Sequence, residues 1–343
     1  MKKNIIIYPI TARTVFLVRY LAEKYNVIPV EASGSGYKGK DVGYINGQFP
    51  LGIKVRGNIE EGILCPGILF ITNDFIKIKN YNGLYNKILQ EKSSELEIVM
   101  SDELNENMGI EKKDNLLHWA KHLKKIESPI IAVGGIVDDF VNTEIAINLY
   151  RYLSKKYTVE VILGESEAAC LGMNYWDKTV YAELPSEVEK IKYFNCLISE
   201  IEEKKAPEIM IIQIPGGMIR LSDKWLNDCG IFYYYISQAV NVDFFICTVP
   251  HEFLDSELLK KISDDICGKY NFKIDVVNIS NKILDWNTEE SKEELDFCYG
   301  DIGGMKIKNE QNGICIIDVK SNMGDYDVVL KRIEEKLGEN DNE

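Results

Sequence analysis

Ser128-Pro129-Ile130-Ile131-Ala132-Val133-Gly134-Gly135-Ile136-Val137-Asp138-Asp139-Phe140-Val141-Asn142-Thr143-Glu144-Ile145-Ala146-Ile147-Asn148-Leu149 decides how the rest of the chain is read. An apolar run enters, two glycines turn it, a helical pattern leaves, and a second apolar run follows from Tyr157 to Leu163. Strand, glycine turn, helix and strand in that order is the layout of a phosphate-binding βαβ unit. Such a loop works through glycines that let the backbone approach, a helix start with free N–H groups, a lysine on the outer phosphates and a Ser or Thr on magnesium. The glycines and the helix start are present. Asn142-Thr143 stands roughly where Lys-Ser/Thr belongs, and Val141 where the last glycine would be. Asp138 and Asp139 add charge that repels a polyphosphate. Gly134, Gly135, Asn142 and Thr143 are therefore candidates for a degenerate nucleotide or anion loop. The plainer alternative is a βα turn whose glycines serve close packing, with Asp138 or Asp139 capping the helix.

Glu208-Ile209-Met210-Ile211-Ile212-Gln213-Ile214-Pro215-Gly216-Gly217-Met218-Ile219 reads as another buried strand. In a working P-loop enzyme such a strand ends in Asp or Glu to hold magnesium through water. Gln213 and Gly216-Gly217 occupy that end, so a second catalytic element is missing, and Gly216-Gly217 is a second candidate sheet-end loop. Near the start of the chain, Asn4–Tyr8 reads as a strand, Arg13–Lys24 as a helix with Thr11 as its cap, and Asn26–Ala32 as a second strand. The glycine-dense stretch from Ser33 to Gly47 follows that strand's C-terminal end, where open α/β sheets bind ligands. Lys38, Gly39, Lys40 and Asp41 are its candidate ligand residues, against the alternative of a surface loop ending in the turn dipeptide Asn46-Gly47. It does not have the form of a dinucleotide fingerprint.

Gly67–Thr72 and Leu96–Met100 read as further strands, Leu84–Glu91 as a helix and Ser101–Asp114 as a loop. Leu116–Ile126 has helical spacing and is read as a bridge between two domains, closed by Pro129. His118 and His122 lie four apart on it, but without a glutamate general base or a cysteine nearby they read as surface histidines rather than metal ligands. Glu165 and Glu167 follow the Tyr157–Leu163 strand on the ligand side of the sheet. They are a possible acid–base pair, with a solvated loop as the alternative. Ser186–Glu203 is an amphipathic helix with Ser186 and Glu189 as a capping box. Phe232-Tyr233-Tyr234-Tyr235 reads as core packing or as a peptide groove. Val242–Val249, Asp255–Tyr270, Lys273–Val277, Gly313–Val319 and Tyr326–Leu337 complete an alternating strand–helix order. Trp286 lies in a charged insert, and Gly338–Glu343 is an acidic tail.

The chain has 343 residues, is 45% hydrophobic and carries a net charge of −14. That length suggests about two domains, and the charge disfavours nucleic acid and anionic membranes. The start carries no signal peptide pattern, because Pro9 interrupts a short apolar run, and no run has the length of a membrane span. A cytoplasmic protein is the expectation. The 8 cysteines form no C-x-x-C pair and match no zinc pattern. They read as reduced thiols, with Cys170 and Cys229 as the two to test as nucleophiles. No metal site is expected. The fold class is α/β, with two three-layer domains of mostly parallel sheet, the second resembling a degenerate P-loop NTPase fold. The boundaries are 1–112 for a Rossmann-like N-terminal domain, 113–128 for the linking helix and 129–343 for the P-loop-like domain.

Two groups of motifs resemble a known family. Gly39-Lys40-Asp41-Val42-Gly43-Tyr44, after the opening Ile7-Tyr8-Pro9, is similar to the first domain of clostridial peptide maturation system proteins. Ile209–Gly217, Tyr234-Tyr235-Ile236-Ser237-Gln238-Ala239-Val240 and Leu284-Asp285-Trp286 resemble that family's second domain. The resemblance implies a component of a ribosomal-peptide, bacteriocin-like maturation system, encoded beside a precursor peptide and an acyl-carrier-like protein, one of which it would bind. More distantly, the two-domain layout resembles a group that includes a D-glutamate N-acetyltransferase. In that group a P-loop-like fold would serve an acyl-CoA. The alternative reading is therefore an acyl or aminoacyl transferase using a CoA or phosphopantetheine thioester, with a nucleotide-dependent enzyme last, since ATP lacks its lysine.

Overall fold

The computed structural model describes residues 2–47, 49–109, 122–288, 295–300, 310–311, 314–319 and 324–340. The chain divides into two compact units. The first contains Met1–Asn115 and Glu165–Thr179, the second Leu116–Gly164 and Val180–Glu343. Residues 165–179, read from the sequence as part of the second domain, thus belong with the first unit. Of the expected linking helix, residues 122–128 are irregular, and the remainder, with His118, lies outside the described residues.

In the first unit, β1 (Asn4–Tyr8), β2 (Asn26–Pro29), β3 (Gly67–Ile71) and β4 (Leu96–Met100) form a parallel sheet in the order β2-β1-β3-β4. Their β-branched runs suit strands with little exposure to water, and Ile6, Tyr8, Leu69, Ile71 and Phe75 share one core with Ile28. The connections include α1 (Val15–Leu21), α2 (Ile59–Ile63) and α3 (Tyr81–Glu91). The expected loop after β4 contains a helix, α4 (Asp102–Asn107), whose Ser101 hydroxyl accepts the Leu104 N–H at 3.1 Å. Its polar sequence hides a helix started by that cap. From β1 the chain crosses to β2 on one side and then to β3 on the other. The switch point, where open sheets take ligands, is therefore the carboxyl end of β1 and β3.

In the second unit, β5 (Ile130–Gly135) is buried along its whole length. It leads through α5 (Val141–Leu153) to β6 (Val159–Leu163). Next come α6 (Glu187–Lys205), β7 (Ile209–Gly217), α7 (Ile231–Ala239), β8 (Phe244–Pro250), α8 (Ser256–Tyr270) and β9 (Ile274–Ser280). The small strands β10 (Lys282–Leu284) and β11 (Phe297–Tyr299) pair with each other. β12 (Glu310–Gln311), β13 (Ile314–Ile317) and α9 (Asp325–Asn340) end the described chain. Within this unit the sheet order is β12-β13-β9-β8-β5-β7-β6, parallel except for the β12–β13 pair. Helix α5 packs on β5, β6 and β7 and against α9, while α6, α7 and α8 pack successively on one another. Helix α6 begins at Ser186, whose hydroxyl accepts the Glu189 N–H at 3.3 Å. Among the described residues no helix is long and apolar enough to cross a membrane.

Candidate functional site

β5 lies between β7 and β8, with Gly135 in register with Gly217 on one side and Thr248 on the other. The two glycine pairs singled out in the sequence, Gly134-Gly135 and Gly216-Gly217, are thus brought together at one sheet end. Tyr233 of α7 reaches this point. Its hydroxyl accepts the Gly135 N–H at 2.8 Å and lies 3.2 Å from the Gly135 carbonyl and 3.3 Å from that of Gly216. A Cβ at Gly134 would collide with this hydroxyl and sit 2.7 Å from Cε1, so only glycine fits beneath the ring. Burial pushes the Tyr233 hydroxyl well above the usual tyrosine range, which keeps it protonated. Gln213, further back on β7, accepts the Gly164 N–H and donates to the Ile214 carbonyl.

The start of α5 is also engaged. The Asp139 carboxylate accepts the Val141 N–H at 3.0 Å and the Ser280 hydroxyl, and its backbone carbonyl accepts the Asn142 N–H at 3.0 Å. Asp139 is the residue that caps the helix. The Ile136 N–H goes to the Thr248 carbonyl. A phosphate arriving here would find the Gly135, Ile136, Val141 and Asn142 N–H groups already bonded and a carboxylate at the helix start. Lys282 Nζ donates to the Asp138 carbonyl at 2.8 Å and lies 3.9 Å from the centre of the Phe297 ring. This cation comes from β10, far along the chain, and no spacing in the sequence announces it. Thr143 is buried. Asn142 is 1% exposed, and its Oδ1 has no hydrogen-bond partner among the described residues.

Asn227, Asp228 and Cys229 are left-handed in succession, at φ 50°, 53° and 53°. Non-glycine residues there carry strain of about 1–3 kcal/mol each, and such strain gathers at functional sites. Asn227 Nδ2 donates to the carbonyls of Ile136 and Ile219 at 2.7 and 2.8 Å, and Asp228 accepts the Gly217 N–H at 3.1 Å. The segment is thus tied to both glycine turns. Cys229 is exposed on it. Cys170 differs, because burial and the charge of Glu167 push its thiol above the usual range and suppress the thiolate.

In the first unit, Lys38, Gly39, Lys40 and Asp41 form an internally bonded loop. The Glu31 carboxylate accepts the Ser35 hydroxyl and the Tyr37 and Lys38 N–H groups at 2.8, 2.5 and 3.0 Å. Asp41 accepts the N–H groups of Gly43 and Leu51. Gly39 and Lys40 pair with Val55 through their backbones, and Lys40 lies 6.0 Å from the centre of the Tyr37 ring. The anion held by this loop is therefore its own Glu31. Glu165 and Glu167, with a solvated loop as one reading, are instead 8% and 0% exposed. They sit at the carboxyl end of β1 and β3, where Arg13 grips Glu165 through both oxygens at 3.1 Å and the Asn73 N–H reaches Glu167 at 2.9 Å. Their burial was not readable because the segment packs on Arg13 and Asn73, residues 152 and 94 positions earlier in the chain. Among the described residues no group of His, Cys, Asp and Glu has the makings of a metal site.

A scan against protein-family models finds no match, and a search of curated proteins finds none. Among solved structures, the chain is similar to a DUF1611 family protein from Anabaena variabilis, at 9% identity and a TM-score of 0.50 over 81% of this chain and 88% of that one. A GTPase from Pyrococcus abyssi in its apo form aligns with 45% of this chain and 68% of its own, at 12% identity and a TM-score of 0.27. The first likeness shows the fold, an α/β chain with parallel sheets, and nothing further.

Proposed function

We propose that this chain is a component of a ribosomal-peptide, bacteriocin-like maturation system that binds the precursor peptide or a carrier protein and does not hydrolyse nucleotides. One observation carries the reading: in the Gly134–Thr143 turn the N–H groups of Gly135, Ile136, Val141 and Asn142 are taken by Tyr233, Thr248 and Asp139, while the buried side-chain atom with no hydrogen-bond partner among the described residues, Asn142 Oδ1, is an acceptor. An acceptor asks for an N–H or O–H, which the amide groups of a peptide supply and the phosphate oxygens that a glycine turn would cradle do not. The resemblance of Ile209–Gly217 and Tyr234–Val240 to the maturation family supports the same conclusion. The test is thermal unfolding of the purified chain with the precursor peptide encoded beside it, with the carrier protein, and with CoA and acetyl-CoA in turn. A ligand of the native state raises the midpoint. The proposal expects a shift with peptide or carrier, and a shift with neither overturns it.

A second reading, an acyl or aminoacyl transferase using a CoA or phosphopantetheine thioester, is favoured by Cys229, an exposed thiol on a strained segment tied to both glycine turns. It expects a shift with acetyl-CoA and a covalent acyl adduct that is absent from C229A.

A further inference from the structure

We propose that residues 165–171 form a strap on the first unit whose docking is governed by protonation of Glu167. The strap is buried from Glu165 to Ala168 although its sequence is polar. Its anchor is Asn73, at the end of β3. The Asn73 N–H donates to Glu167 Oε1 at 2.9 Å. Its Nδ2 faces Ser166 Oγ at 2.7 Å, Glu103 Oε2 at 3.0 Å and Glu167 Oε2 at 3.3 Å. One amide nitrogen has two hydrogens, so three acceptors compete for them, and two of the three are carboxylates from different elements. Asn73 Oδ1 is held by the Ser101 hydroxyl at 2.6 Å, so the amide cannot turn to relieve the competition.

The charges around Glu167 set the direction. On the strap itself stands Glu165, which is closed upon by Arg13 at 3.1 Å and Lys178 at 3.7 Å. Cys170, with its thiol held protonated, is the strap's other titratable group. Glu103 faces Glu167 from α4. Asp74, from the turn after β3, is engaged by Lys77 at 2.7 Å and the Thr11 hydroxyl at 2.6 Å. Arg13 and Lys178 therefore close on Glu165, and Glu167 takes its bonds from Asn73. Burial first, then the charge of Glu165, pushes the Glu167 carboxyl up to about 7 from an ordinary 4.5. A proton on Glu167 turns one competing acceptor into a donor toward its neighbours and removes a buried like charge. With the docked value raised above the released one, docking is strongest below about pH 4.5, weakens as pH rises toward 7 and levels off above it.

The test is hydrogen exchange of the full chain, following amides 165–171 from pH 5 to pH 8, corrected for intrinsic rates. Protection is expected to fall by roughly tenfold per pH unit as pH approaches 7, several tens-fold in total, and then to flatten. In E167Q, where the amide keeps the shape and cannot ionise, protection is expected to be independent of pH. Protection that is flat in the native chain between pH 5 and pH 7 overturns the proposal, and so does an unchanged slope in E167Q. Should E167Q not fold, the slope of the native chain decides alone.

Discussion

Replacing Tyr233 by Phe removes one oxygen and leaves the ring in place against Tyr270, 6.1 Å between centres. The hydroxyl is the acceptor of the Gly135 N–H, in a region with no access to water. The Gly135 carbonyl keeps a partner, because the Met218 N–H also reaches it at 3.1 Å. The loss is therefore one orphaned backbone donor, about 1–3 kcal/mol, rather than a lost packing contact. At about 2–4 °C per kcal/mol for a domain of this size, the midpoint of the second unit's transition should fall by several degrees. Calorimetry of Y233F against the native chain measures this directly. A midpoint unchanged within about 1 °C would mean that the hydroxyl does not close the turn, and the account of an occupied phosphate cradle would lose its main support.

G134A is expected to destabilise by about 1–3 kcal/mol, since the added methyl meets a Tyr233 ring that is fully buried and cannot swing away. Denaturant midpoints at constant slope would show it, and an unchanged midpoint would speak against the packing. In the first unit, hydrogen bonds from Ser35, Tyr37 and Lys38 outweigh burial and hold the Glu31 carboxyl below its ordinary value. A lowered carboxyl contributes stability above its unfolded value and loses it as pH falls through the folded one. E31Q should therefore be less stable than the native chain at pH 7, by about 1 kcal/mol, with the gap closing below about pH 4. Paired unfolding curves at the two pH values check the sign.

The strands were legible because apolar runs such as Ile130–Val133 and Ile209–Ile212 have few other places to go in a parallel sheet. The pairing of Gly134-Gly135 with Gly216-Gly217 follows from that topology. What escaped the sequence is non-local. Tyr233 reaches Gly135 across 98 residues and Lys282 reaches Asp138 across 144, and neither spacing has a local signature. Glu165 and Glu167 read as solvated because two glutamates beside a glycine ordinarily are. Only the return of the chain to the first unit buries them. The helix Asp102–Asn107 escaped for a different reason, since Asp-Glu-Leu-Asn-Glu-Asn has too few apolar residues to show a period and depends on its Ser101 cap.

The central claim is that the Gly135, Ile136, Val141 and Asn142 N–H groups around the turn before α5 are bonded from within. Calorimetric titration of the full chain with magnesium ATP tests it most directly. The account predicts no saturable heat up to millimolar ligand. Saturable binding with Kd of about 1 mM or tighter, abolished by substituting Asn142 and Thr143, would contradict it.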